Sequence, residues 1–151
     1  MAQSKPEKKI KELTFGLRLN DLEVVHYIDY KLKKDYDEST YPLIEFGTRF
    51  SFDINEEKEE IKCLCNIQVK VIETKELMSE LTTSCNFSVT PIKSAVKKNE
   101  DGAFDINNFI LVNIANVTVS TSRGILFERS KNSVIKDVFP IMDVTQLLNK
   151  K

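Results

Sequence analysis

The sequence of 151 residues has one histidine, no tryptophan and only four glycines. His26 stands alone, so a histidine metal site or a Ser-His-Asp triad would depend on a single residue. The glycines are scattered through the chain, and none forms part of a glycine-rich phosphate-binding loop. We therefore expect no enzyme activity, no catalytic residue, no cofactor and no metal ion. His26 falls in the apolar phase of a predicted strand, where a structural role is expected.

Cysteine is also scarce, with three residues at positions 63, 65 and 85. Cys63 and Cys65 lack the CxxC spacing and the nearby second pair that are typical of a structural zinc site. We interpret all three as reduced, buried thiols, as is common in a reducing compartment.

The chain has no excess of charge of one sign, because 22 Lys and Arg residues nearly balance 23 Asp and Glu residues. A net charge of -1 excludes attraction to nucleic acid or an anionic membrane by charge alone. The unbroken apolar runs are shorter than the roughly 18 residues of a membrane span, and the charged N-terminus lacks the apolar region of a secretory signal. We expect a cytoplasmic protein with no membrane insertion, with residues 1–11 flexible and residues 12–151 forming a single domain.

Four segments alternate between apolar and polar residues, which is the pattern of strands with one buried face. They span residues 22–32, 43–54, 61–72 and 81–90, with short polar connections, and predict an antiparallel meander. In front of the first segment the alternation changes phase at Asn20-Asp21, which predicts a bulge or a tight turn. A sheet with one apolar face needs one covering layer.

Helical periodicity is longest from Asp105, a good N-cap residue, to Arg129. Its apolar and small residues form two stripes on nearly opposite sides of the helix. We expect the first stripe to cover the sheet, which leaves the second for an isologous subunit interface. Arg123 lies between the stripes and is either an intersubunit ion-pair residue or a surface charge. The alternative is cover by the 33–42 loop and a C-terminal helix. The first stripe comprises Ile106, Ile110, Val117, Thr121 and Gly124, and the second comprises Val112, Ala115, Val119 and Leu126.

A short last helix, Val144 to Leu148 with Asp143 as its cap, completes the predicted order. The fold class is therefore α+β, with a four-stranded antiparallel sheet, a long helix and a short C-terminal helix. This order resembles the SecB family of protein-export chaperones. The resemblance also includes Ser122-Arg123-Gly124-Ile125, Phe139-Pro140-Ile141 and the segment Asp143 to Leu147.

The resemblance implies an ATP-independent holdase, a homotetramer built as a dimer of dimers, that binds unfolded or precursor polypeptides in apolar grooves. It also implies an export motor ATPase that docks on an acidic sheet surface. Because this chain is near neutral, a dedicated partner-binding protein for a toxin–antitoxin pair or a secretion substrate is the alternative. A small-ligand-binding or enzymatic domain with a pocket around His26 is a third hypothesis. Carried over by position, the client-binding residues are Phe46, Phe50, Phe139, Ile141, Leu147 and Leu148.

Overall fold

A computed structural model describes residues 15–37, 39–131 and 143–149. It confirms the predicted fold class, a four-stranded antiparallel sheet followed by a long helix and a short C-terminal helix. The predicted flexible segment 1–11 lies outside the described residues. In chain order the elements are β1 Gly16–Asp29, β2 Ile44–Asn55, β3 Glu60–Val71, β4 Leu77–Thr90, α1 Ile92–Ala95, β5 Val96–Lys98, β6 Phe104–Ile106, α2 Asn108–Ser130 and α3 Val144–Asn149.

The strand order in the large sheet is β1-β4-β3-β2. Strands β2, β3 and β4 follow one another as a meander, as the short turns at 56–59 and 72–76 require. Strand β1 differs from a meander, because it pairs with β4 at the far side and not with β2. The longer connection at 30–43 allows the chain to cross from one edge of the sheet to the other. Strands β1 and β2 are therefore the two edges.

Strand β1 carries two bulges, where its register against β4 shifts between Leu19 and Asp21 and again between Val24 and His26. The first confirms the predicted change of phase at Asn20-Asp21, whereas no break in the sequence pattern marks the second. The first bulge keeps Leu22 and Val24 on the inner face of the sheet, whereas the second brings Tyr27 to that face and leaves Ile28 on the outer one. The second turns His26 outward, opposite Thr82 on the polar face, so its predicted place in the apolar face is wrong.

Helix α2 begins at Asn108, and its cap is Asn107, whose Oδ1 accepts a hydrogen bond of 2.9 Å from the backbone N–H of Phe109. Asp105, the predicted cap, lies instead in the β5–β6 hairpin, opposite Lys97. By length and composition α2 could span a membrane, but its buried residues belong to the core formed with β3 and β4.

The buried face of α2 lies between the two predicted stripes and includes both Thr118 and Ser122. Their hydroxyls donate to the carbonyl oxygens of Ile114 and Thr118, at 2.8 and 2.7 Å, so both polar groups are satisfied inside the core. A pattern of apolar residues alone could not show this, because it treats hydroxyl residues as exposed.

The second stripe is consequently covered within the chain, by the sheet and by α3, whose Val144 lies in the same core cluster. The part of the alternative interpretation that assigns this cover to a C-terminal helix is confirmed. Ala115 and Leu126 are fully buried in the core and Val119 is only 5% exposed. The expectation that these three residues are left uncovered for a subunit interface is wrong. Val117 and Gly124, from the stripe assigned to the sheet, are exposed.

The three cysteines are free and buried, as predicted, on the inner face of the sheet beneath α2. Burial raises the pKa of Cys63 to about 12 and the pKa of Cys65 to about 11, although hydrogen bonds with Thr118 and Ser122 act in the opposite direction. The thiols are therefore neutral. Small side chains on both layers allow the helix to lie close to the sheet.

An apolar groove along an edge strand as the candidate functional site

An open groove of about 1080 Å³ follows β2 on the side away from β3. Residues 46–54 of β2 form one wall. The other side is formed by Phe104, Asp105 and Ile106 of β6, Leu111 of α2, and Leu147 and Leu148 of α3.

The apolar lining follows from the alternation of β2. Phe46, Phe50 and Phe52 share the inner face of the strand and are partly buried against the core. The rings of Phe50 and Phe52 stack with centroids 6.4 Å apart. Because α2 packs on β3 and β4, the inner face of β2 is left with partial cover only.

The structure brings four of the predicted client-binding residues into this groove, namely Phe46, Phe50, Leu147 and Leu148. Phe139 and Ile141 lie outside the described residues. Phe52 belongs to the same strand phase as Phe50 and could have been included from the sequence.

Three further lining residues, Phe104, Asp105 and Ile106, had no usable signal in the sequence. The sequence pattern places Asp105 and Ile106 in the long helix instead, because a three-residue strand is too short for an alternation pattern.

Of the residues predicted for a subunit interface, Val112 and Arg123 lie half-buried on the sides of α2. The exposed face of the helix is a different set. It carries Phe109 and Phe127 near its two ends and Asn116, Ser120 and Gly124 between them.

The outer face of the sheet is polar and carries a network across three strands. His26 Nε2 lies 2.9 Å from Glu80 Oε1, and Gln68 Nε2 donates to Glu80 Oε2 at 2.5 Å. The hydrogen bond from Gln68, followed by that from His26, holds the pKa of Glu80 below its ordinary value of 4.5. His26 thus stabilises the edge strand on an open face and does not line the groove, which removes the support for a pocket around it.

Within residues 15–37, 39–131 and 143–149, His, Cys, Asp and Glu form no cluster of three or more that could hold a metal ion. The groove itself contains one acidic side chain from β6, Asp105, and two charged side chains from β2, Arg49 and Asp53. Its chemistry is that of a binding surface with an apolar floor and a few charges at its margin.

No family model and no curated protein matches the sequence. Among solved structures, one similar structure is the Mycobacterium tuberculosis Rv1957 SecB-like chaperone in complex with a ChAD peptide from Rv1956 HigA1 antitoxin. The match has 5% sequence identity and a TM-score of 0.62, and covers 84% of this chain and 90% of that chain. A protein of unknown function from Streptococcus agalactiae matches with 12% identity and a TM-score of 0.41, over 87% of this chain and 100% of that chain. The chain has the fold of SecB-like chaperones.

Proposed function

We propose that this protein is an ATP-independent holdase chaperone that binds non-native polypeptide in the groove beside β2. The observation that carries the proposal is the groove itself, which is long, open to solvent and lined by aromatic side chains of an edge strand. A partly covered groove of this kind, with aromatic side chains beside exposed polar ones, suits an extended polypeptide, whereas small ligands favour enclosed cavities. We further propose a cytoplasmic location.

A dedicated chaperone with one principal client is a second candidate. The similar mycobacterial protein is a SecB-like chaperone in complex with an antitoxin peptide, and a dedicated role needs no docking site for an export motor. The near-neutral charge of this chain favours that role, because the export motor implied by the resemblance needs an acidic surface. On the outer face, Glu80 is already engaged by His26 and Gln68.

The groove can be tested by replacing Phe104, which lines it and is 39% exposed. We expect Phe104→Ser to bind an unfolded client roughly tenfold more weakly than the wild type, because about 1.4 kcal/mol of apolar contact is lost. Affinity would be measured by fluorescence anisotropy with a labelled, chemically unfolded protein, and holdase activity by the suppression of its aggregation.

Ile28→Ser is the matched control, because Ile28 is 40% exposed but lies at a distance from the groove on β1. The control should bind as the wild type does. A wild-type protein that neither binds the unfolded client nor suppresses its aggregation would contradict the proposed function. Equal affinity of the two variants would show that the client lies elsewhere.

We also propose that copies of the chain associate through the exposed face of α2. Its residues are arranged almost symmetrically about position 118. In an antiparallel pair of helices, Phe109 would lie opposite Phe127 of the second copy, and Asn116 opposite Ser120. The small residues at the centre would permit close approach, and the phenylalanines at the ends would supply apolar contact. A dimer of dimers would require a second interface in addition to this one.

A further inference from the structure

The backbone of β2 has a defined orientation relative to the groove. The N–H of Ile72 donates to the carbonyl oxygen of Leu43 at 2.9 Å, which fixes Leu43 as a residue whose backbone groups face β3. Because this orientation alternates along an antiparallel ladder, Arg49, Ser51 and Asp53 also turn their N–H and C=O groups toward β3. The backbone groups of the residues between them point the other way, to the open edge of the sheet. Those residues are Thr48, Phe50, Phe52 and Ile54.

The residues with edge-facing backbone groups are the same ones whose side chains face inward. The groove is lined by consecutive residues of β2, from both phases of the strand, so it runs along the edge and not only across the face. No other strand of the described ranges pairs with β2 on this side. Backbone hydrogen-bonding groups and apolar side chains therefore face one common space.

The two edges of the sheet differ in a way that bears on strand addition. The register of β2 against β3 is unbroken from Ile44 to Asn55, whereas β1 is interrupted by two bulges. Bulges twist an edge strand and are a common protection against the addition of another strand. Only β2 offers a regular edge of useful length.

We infer that the polypeptide held in the groove is bound as a fifth strand, antiparallel to β2, through backbone hydrogen bonds to Thr48, Phe50, Phe52 and Ile54. This inference rests on the proposed function and specifies its substrate class. The occupant is an extended segment with apolar residues at alternate positions, whose apolar side chains enter the groove. The backbone hydrogen bonds to β2 provide affinity for any extended segment, whatever its side chains. The requirement for apolar side chains at alternate positions selects among such segments.

Charge on the outer side of β2 specifies the segment further. Arg49 and Asp53 point outward four residues apart, have opposite charge, and form no ion pair within the described chain. Opposite charges on neighbouring strands are favourable. In an antiparallel strand, a basic residue opposite Asp53 would come four positions before an acidic residue opposite Arg49.

The test uses the full chain and a capped peptide, Leu-Lys-Val-Ser-Leu-Glu-Val, with affinity measured by fluorescence anisotropy. N-methylation of the apolar third and fifth residues should weaken binding by at least about tenfold, since each loses one hydrogen bond to β2 and adds a steric clash. N-methylation of the fourth and sixth residues is the matched control. Their N–H groups point away from β2, so the affinity should change by less than about twofold.

A second comparison exchanges the two charged residues to give Leu-Glu-Val-Ser-Leu-Lys-Val, which has the same composition. It should bind up to about fivefold more weakly, the size expected of cross-strand charge pairs. Equal affinities for the two charge orders would overturn the predicted register and direction.

The outcomes also separate this inference from the proposed function. If unfolded protein binds but the peptide does not, or if both methylated peptides bind equally, strand addition is overturned and the groove keeps its proposed role. If neither unfolded protein nor peptide binds, the proposed function fails and the inference fails with it.

Discussion

Thr83 is fully buried on the inner face of the sheet, and its Oγ1 has no hydrogen-bond partner among the described residues. Thr118 and Ser122, in the layer above, are equally buried, but their hydroxyls donate to helix carbonyls. A buried hydroxyl without a partner costs about 1 kcal/mol or more. A buried threonine hydroxyl therefore lowers stability at position 83, where it has no partner, and contributes to stability at position 118, where it makes a hydrogen bond.

We expect Thr83→Val to raise the free energy of unfolding by about 1 kcal/mol, because a methyl group replaces the unpartnered hydroxyl at little change in volume. Chemical denaturation monitored by circular dichroism would measure it. Thr118→Val is the control and should lower the free energy of unfolding by up to about 1 kcal/mol, since it removes a made hydrogen bond. A Thr83→Val variant no more stable than the wild type would contradict this account.

Glu80 gives a prediction of pH dependence. Because hydrogen bonds from Gln68 and His26 lower its pKa in the folded protein, its contribution to stability is present above the unfolded value. That contribution is lost as the pH falls through the lowered folded pKa. At pH 7, Glu80→Gln should be less stable than the wild type by about 1–2 kcal/mol, and the difference should shrink below pH 4.5.

Urea denaturation at several pH values would measure both effects. The exposed carboxylate of Glu73 provides the control, because Glu73→Gln should change the free energy of unfolding by less than about 0.5 kcal/mol at any pH. A stability difference for Glu80→Gln that stays constant down to pH 3 would show that the carboxylate is not held by this network.

At the scale of elements, alternation predicted all four long strands and located the bulge at Asn20-Asp21, because polar residues interrupt the pattern there. It could not locate the bulge at Val25, where apolar residues on both sides, Val24 and Tyr27, leave no interruption. The start of α2 was predicted too early because the β5–β6 hairpin includes the first residues of the predicted helix. Local propensity does not report a pairing between short segments whose partners lie six to ten residues apart.

One pair of substitutions tests which of the two stripes of α2 is buried in the core and which is exposed. Val119→Glu places an unpaired charge in the core and should destabilise the fold by about 3 kcal/mol or more. Val117→Glu places the same charge on the exposed side of the helix, two residues away, and should leave the melting temperature nearly unchanged. If the exposed face joins two copies, this second variant should also have a lower mass by light scattering.

Light scattering of the wild type at the same concentration supplies the reference. A folded Val119→Glu variant would mean that the helix is rotated relative to the described packing. A wild-type mass for Val117→Glu would move the subunit interface to another surface.

At the scale of the whole molecule, the sequence predicted the fold and its two layers correctly, but it predicted the groove only in part and assigned the wrong face of α2 to a subunit interface. The chain shares the fold of a SecB-like chaperone at only 5% identity, because the order of elements and the alternation of apolar residues can specify a fold without specifying individual residues. The groove was predicted in part, from Phe46, Phe50, Leu147 and Leu148. The rest of it depends on where β6 and the N-terminal part of α2 meet β2, which is a tertiary property.

The difference between the two edge strands has a consequence for solutions of the protein itself. A sheet with two regular edges can grow without limit, because β2 of one molecule can pair with β1 of the next and the contact is head-to-tail. Here the two bulges make β1 a poor partner for β2, so such growth stops at the first step. The proposed binding of foreign chains at the β2 edge is thus compatible with a protein whose own molecules do not pair edge to edge into fibres.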